Sequence, residues 1–233
     1  MKNLKSLIAS LQDVFSNRLT SVFIFGSKAN LNGQSLGHNV DLFVVADEVH
    51  VDDFTKMFPA VQRWCAKGNP TPLIMSRDEF YSMVDIYAIE YSDIKWNYQV
   101  VHGQDLVAAV NVNYFDLRLQ CERELKNMIM KLRSFYLEHG RAKSAIVPAI
   151  DTIAKSVIVI FRALLRLRNL SPSVYKQDVV EQVGSIVRID KQFFTKLIGQ
   201  KEGTYRFNTS EIYDFNEYLL NQLQNLLKQV SNM

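Results

Sequence analysis

The residues best suited to chemistry lie close together in the first quarter of the chain. Gly26 and Ser27 follow one apolar run, and after eleven intervening residues Asn39 and Asp41 open a second one. A glycine lets the backbone approach a phosphate closely, and the backbone N–H groups after it can hold phosphate oxygens. The Ser27 hydroxyl would add another donor, and Asp41 supplies a carboxylate, a ligand that suits Mg²⁺. The pattern therefore indicates a phosphate-binding turn that faces an acidic residue.

Positions 39 and 41 decide how strongly such a turn could bind a metal ion. Side chains two residues apart in a strand point the same way, so we expect those of positions 39 and 41 to converge on one point facing the Gly-Ser turn. Two carboxylates there would hold Mg²⁺ against a triphosphate, but position 39 is Asn, whose amide oxygen brings no charge. A carboxylate 4 Å from a dication is worth about 8 kcal/mol of gross attraction at an effective dielectric of 20. We therefore expect Asp41 and Asn39 to bind Mg²⁺ weakly.

A third carboxylate on a neighbouring strand would help to hold a second metal ion or to activate an acceptor hydroxyl. The strand expected over 72–75 carries none. Glu90 and Asp93 are the substitutes that the sequence offers, and no pattern places either of them on a strand.

The elements that must position these residues form a mixed α/β pattern. Apolar residues at helical spacing predict an amphipathic helix over 3–17. A second helix is expected over about 52–67, where Pro59 would disturb it or start its second part. Residues 78–108 show no single pattern. Short apolar runs rich in β-forming residues predict strands over 20–25, 40–46 and 70–75.

The second half of the chain has the pattern of a helical bundle. Apolar residues recur at helical spacing from 117 to 136, and Gly140 is expected to end that helix. A last helix begins after Asn208, whose N-x-x-E pattern is typical of a capping box. Strand signals stop near 108–114, so we predict two domains, 1–110 and 111–233. Further helices are expected over 145–169, 174–189 and 190–200.

Charge divides in the same way. Residues 1–110 carry 9 Lys/Arg and 12 Asp/Glu, a net charge of −3, and residues 111–233 carry 18 and 12, a net charge of +6. The basic residues of the second half form either a surface for a nucleotide or an acidic partner, or a solvated face. No interleaving with aromatic residues supports sequence-specific nucleic-acid recognition, so nucleic acid is not the expected partner. They include Arg118, Arg123, Lys126, Lys131, Arg133, Arg162, Arg166 and Arg168.

The arrangement of strand, Gly-Ser, loop and Asn-x-Asp strand resembles the nucleotidyltransferase superfamily, which includes DNA polymerase β and the aminoglycoside nucleotidyltransferases. The stretch AIEYSDIKWNYQVVHGQDL (88–106) is similar to the end of such domains. The resemblance covers roughly residues 1–108, and the second half resembles the helical bundles that often follow. It implies an α/β (α+β) domain with a small mixed sheet, followed by an all-α bundle.

The same resemblance implies a function. Gly26, Ser27 and Lys28 would bind a nucleoside triphosphate, with Lys28 neutralising phosphate charge. Asp41 and Asn39 would hold Mg²⁺, and Glu90 or Asp93 would act as a base. An active protein would transfer a nucleoside monophosphate to a hydroxyl of a small molecule or a protein.

Two other functions stay open. Because the acidic motif is incomplete, the chain could be a catalytically degenerate member that binds a partner as a regulator or antitoxin-like module. Arg133 and His139 fit the loose Arg-x(4–6)-His pattern of HEPN-type ribonucleases. However, a spacing of six residues places two side chains about 240° apart around a helix, so the pair does not share a face.

Composition excludes several classes of protein. With 233 residues, 48% apolar and 22% charged, the chain is globular rather than disordered or fibrous. Cys65 and Cys121 form no CxxC motif, which argues against a disulfide framework or a structural zinc site and favours a reducing cytoplasm. We expect no signal peptide. The richest apolar run is interrupted by Arg162 and Arg166, so no membrane span is expected. Homodimer formation stays open.

Overall fold

The computed structural model describes residues 2–29, 38–140 and 142–233. Its chain forms two compact units, of which the first ends at Val112 and the second begins at Asn113. The first unit contains a mixed sheet covered by helices, and the second is helical. This is the predicted fold class, an α/β domain with a small mixed sheet followed by a helical region.

The sheet of the first unit has four strands in the order β3-β2-β1-β4. The central strand β1 pairs antiparallel with both β2 and β4, and β2 pairs parallel with β3. The strands are β1 (Leu19–Phe25), β2 (Asp41–Ala46), β3 (Leu73–Ser76) and β4 (Tyr98–Gly103). The first three confirm predicted strands, whereas β4 was not predicted because its segment showed no alternating pattern.

One face of the sheet is covered by two amphipathic helices, α1 (Lys2–Phe15) and α2 (Val51–Cys65). Side chains alternate along a strand, so every second residue of β1 and β2, such as Ile24 and Val44, packs against these helices. Helix α2 runs as one element through Pro59. The prediction that this proline would start a second part of the helix is therefore wrong.

The opposite face is an aromatic core. Phe23 and Phe43 stack with ring centroids 5.0 Å apart, and Phe80 packs edge-on against both at 6.0 and 5.4 Å. Phe80 belongs to α3 (Arg77–Ser82), and α4 (Ala88–Trp96) adds Tyr91 and Ile94 to the same core. Asp41 lies two residues before Phe43 in β2, so it is placed on this face, at its end.

The second unit consists of long antiparallel helices and shorter ones. Asn216 donates a hydrogen bond to the Gly140 carbonyl at one end, and the Tyr114 hydroxyl donates to the Met233 carbonyl at the other, so the first and last helices run antiparallel. The helices are α5 (Tyr114–His139), α6 (Lys143–Leu167), α7 (Lys176–Gly184), α8 (Lys191–Glu202) and α9 (Thr209–Ser231).

Two predicted helix boundaries of this unit are confirmed. Helix α5 ends before Gly140, which has a φ of 57°. Helix α9 begins with the capping box, since the Glu211 N–H donates to Asn208 and the Asn208 N–H donates back to the Glu211 carboxylate, both at 2.9 Å.

Helix α6 is, among the described residues, the one helix with the length and hydropathy to cross a membrane, with a mean hydropathy of 1.8 over its best window. Of that window, 41% is buried within the structure, and the core helices of soluble proteins pass the same test. The finding is weak evidence, and the expectation of no membrane span stays a prediction.

Candidate functional site

The site is built around the turn that follows β1. Residues Gly26–Lys28 form a single 3-10 turn, and Gly26 has a φ of 73°, in the left-handed region that favours glycine. The Gly26 N–H donates a hydrogen bond of 2.9 Å to the carbonyl of Asn97, directly after α4. The N–H groups of Ser27 and Lys28 lie at the start of this turn. Because the first N–H groups of a helix have no hydrogen-bond partners inside the helix, they are available to a ligand.

The carboxylate of Asp41 faces this turn. In the β1–β2 ladder Phe25 pairs with Asp41, so the acid lies beside the residue that precedes Gly26. A Cβ atom placed on Gly26 would lie 3.5 Å from Asp41 Oδ2. The carboxylate is half-buried, and burial raises the pKa of Asp41 above its ordinary value of 3.8. No cation of residues 2–29, 38–140 or 142–233 forms an ion pair with it.

Asn39 lies outside the strand in which we expected it. Strand β2 begins at Asp41, and Asn39 precedes it with a φ of 61°. Its N–H donates to the Gly68 carbonyl at 2.9 Å, and its side chain is exposed. The premise that residues 39 and 41 lie in one strand with their side chains on the same face is therefore wrong. A role for Asn39 as a metal ligand stays a prediction.

Asp41 is the one acidic residue in the four described strands; β3 contributes no carboxylate. The described part of the chain likewise holds no group of three or more His, Cys, Asp or Glu side chains able to bind a metal ion. The donor set fits Mg²⁺ held by one carboxylate together with phosphate oxygens and water, which is a common arrangement for this ion. It does not provide a cage for two metal ions.

The two substitutes for a third carboxylate both lie on α4. Glu90 is exposed in the first turn of that helix, and Asp93 is half-buried one turn later. Asn97, whose carbonyl accepts from Gly26, follows the helix directly. With a rise of 1.5 Å per residue, Asp93 precedes Asn97 by about 6 Å along the axis and Glu90 by about 10 Å. Asp93 is therefore the closer of the two along the helix.

The remaining sequence candidates are placed less fully. Lys28 is half-buried in the turn itself. The Ser27 side chain and residues 30–37 lie outside the described part of the chain. The contact between Gly26 and Asn97 was not predicted, and no local pattern signals it, because it joins segments 71 positions apart in the sequence.

The Arg133 and His139 pair lies on α5, in the second unit. Both side chains are exposed, and the His139 ring packs edge-on against Phe135, with ring centroids 4.8 Å apart. The segment is helical through both residues, so the pair keeps the divergent spacing of six helical positions.

No family model and no curated protein matches the sequence. Among solved structures, the fold is similar to that of a spectinomycin adenyltransferase from Enterococcus faecialis, determined with ATP and spectinomycin. The similarity covers 96% of this chain and 98% of that chain, with a TM-score of 0.53 and a sequence identity of 13%. At this identity the likeness shows the fold alone.

Proposed function

We propose that this chain binds a nucleoside triphosphate at the turn after β1 and transfers its nucleoside monophosphate to the hydroxyl of a small molecule. The observation that carries this proposal is the half-buried Asp41 carboxylate directed at the positive-φ turn of Gly26. A half-buried carboxylate that no cation of the described residues pairs with lowers the stability of the folded protein, which favours a functional role.

The residues of the turn act on the phosphates. Backbone N–H groups of Ser27 and Lys28 hold phosphate oxygens, and the Lys28 ammonium neutralises phosphate charge. Asp41, and Asn39 if its amide reaches the ion, would hold Mg²⁺, which would supply electrostatic stabilisation of the transferring phosphoryl group.

In the reaction the acceptor oxygen attacks the α-phosphorus, and the bond from that phosphorus to the pyrophosphate oxygen breaks. The proton of the acceptor hydroxyl passes to a carboxylate on α4. We place Asp93 ahead of Glu90 in this role because it lies closer along the helix to the residue that contacts Gly26. A small-molecule acceptor is supported by the similarity to an enzyme determined with spectinomycin.

The test is calorimetry of the full chain with ATP and MgCl₂, compared with Asp41→Asn. Wild type should give a saturable heat that the variant loses. Asp13→Asn is the matched control, since Asp13 is an exposed carboxylate on α1, which packs on the opposite face of the sheet. If wild type shows neither heat nor a thermal shift at millimolar nucleotide, the chain does not bind the triphosphate.

A second candidate function is favoured because the four described strands carry a single acidic residue, Asp41, where two-metal chemistry needs more. In that case the chain keeps the fold but not the chemistry, and acts by binding a partner. Pyrophosphate release separates the two functions. Mg²⁺-dependent release by wild type that Asp41→Ala abolishes would establish catalysis.

Asn39→Asp sharpens the comparison because it restores the second carboxylate. Asp tolerates the left-handed backbone of this position almost as well as Asn. If wild type is inactive and the variant releases pyrophosphate, the chain is a degenerate enzyme whose missing charge can be supplied.

A further inference from the structure

The second unit contains a basic groove between α5 and α9, which the function above does not use. This groove is a cavity of about 490 Å³, within the range of small-molecule sites. Among the described residues, its cationic lining side chains are Lys126, Arg133 and Lys228, and none of its lining residues is Asp or Glu. The described lining residues therefore give the groove three positive charges.

Helical spacing builds this groove from two matching faces. Lys126 and Arg133 stand seven residues apart on α5, and Asn221 and Lys228 stand seven apart on α9, so each pair shares one side of its helix. Because the helices are antiparallel, Lys126 lies toward the Lys228 end, and Arg133 toward the Asn221 end. Seven residues correspond to about 10 Å along a helix. The groove therefore has two cationic ends about 10 Å apart.

The charges of the groove are available to a ligand to different degrees. Lys126 Nζ lies 3.4 Å from the Glu122 carboxylate, which also pairs with Arg118. The guanidinium of Arg133 has the sulfur of Met130 at 4.0 Å, and none of the carboxylates in the described part of the chain pairs with it or with Lys228. Arg133 and Lys228 are therefore the side chains freest to bind an anion.

We propose that the α5–α9 groove binds a small organic molecule that carries two separated phosphoryl groups. Arg133 would bind one phosphoryl group through its planar fork, and Lys228 with Lys126 would bind the other as point charges. The amides of Asn221, Gln224 and Asn225 offer hydrogen bonds to the polar atoms between them, while Ile129 and Leu227 contact the carbon skeleton. The groove shares no residue with the proposed nucleotide site, since its lining residues all belong to the second unit.

The experiment is calorimetry of the full chain with fructose 1,6-bisphosphate in EDTA, with glucose 6-phosphate as the single-phosphate comparison. The bisphosphate should bind, and Arg133→Gln and Lys228→Gln should each weaken it about tenfold or more, since each removes a charge-assisted hydrogen bond. Arg133→Lys should retain part of the affinity. Lys131→Gln is the matched control, because this exposed lysine lies on α5 outside the groove, and it should leave binding unchanged.

Three results would overturn the proposal. These are no bisphosphate binding at millimolar concentration, equal weakening by Lys131→Gln and Arg133→Gln, or tighter binding of a short single-stranded RNA that depends on Lys131 as much as on Arg133. Binding of ATP with Mg²⁺ should be unchanged in Arg133→Gln. A failure of the groove can thus be told apart from a failure of the nucleotide site.

Discussion

The substitution Asp41→Asn should change stability and ligand binding in opposite directions. Burial raises the pKa of Asp41, so the folded protein binds this proton more tightly than the unfolded chain does. Stability from this group is therefore lost as pH rises through the raised pKa, and the ionised carboxylate destabilises the folded protein at neutral pH. The neutral, equally sized Asn removes that cost, and the variant without ligand should melt at a higher temperature.

Ligand binding should weaken in the same variant. The carboxylate lies 3.5 Å from the Cβ position of Gly26, so it borders the space in which a bound phosphate and its cation would lie. A unit charge 4 Å from a dication is worth about 8 kcal/mol gross at a dielectric of 20, most of which desolvation offsets. Interactions with charged groups contribute about 1.5–3 kcal/mol net, so ATP with Mg²⁺ should bind about 10- to 100-fold more weakly.

Thermal denaturation of wild type, Asp41→Asn and Asp13→Asn, each with and without ATP and MgCl₂, measures both effects together. Wild type should gain stability from the ligand, Asp41→Asn should start higher and gain less, and Asp13→Asn should behave as wild type. The reasoning is refuted if Asp41→Asn melts lower than wild type without ligand, because the carboxylate would then be a structural group. It is equally refuted if the ligand stabilises both proteins to the same extent.

Two further substitutions test the glycine turn of the site and the ion pair between Arg18 and Asp53. Gly26→Ala should destabilise the protein by about 1 kcal/mol, because Gly26 has a φ of 73°, and should weaken ATP binding. Gly203→Ala, at a φ of 76° with open space around it, should cost similar stability and leave binding unchanged, as denaturation and calorimetry would show. Asp53 is buried and accepts two 2.8 Å hydrogen bonds from Arg18, which lower the pKa of its carboxyl from 3.8 to about 2. This lowering stabilises the folded protein by about 2 kcal/mol above pH 4, and that stability is lost as pH falls from about 4 to about 2. Asp53→Asn should lower the free energy of unfolding by about 3 kcal/mol at neutral pH. It should also remove most of the loss of stability between about pH 4 and about pH 2 that urea denaturation measures for wild type, and an unchanged pH dependence would contradict the prediction.

Several elements could be predicted because their signals are local. Amphipathic spacing identified α1, α5 and α9, and the capping box at Asn208 marked where α9 begins. Short apolar runs identified β1 and β2, and the Gly-Ser pair between them predicted a turn. In each case the residues that decide the structure lie within a few positions of one another.

Other elements depend on contacts that local patterns do not contain. Strand β4 has no strict alternation of apolar and polar residues, and it becomes a strand because β1 offers it an open edge. Pro59 stays inside α2, where packing of Met57, Ala60 and Trp64 against the sheet outweighs the local preference to break. Asn39 turns out of the extended conformation because its N–H bonds to Gly68.

The sequence by itself determined the chemical content of the candidate site: a glycine turn, one charged acid and one amide in place of a second acid. Only the tertiary structure decided that the Asp41 carboxylate is directed at the turn and half-buried, with no cation of the described residues paired to it, and that the end of α4 contacts the turn through Asn97. The physical reason is that residue types are fixed by the chain, whereas burial and distance between segments are fixed by strand pairing and by the packing of helices on the sheet.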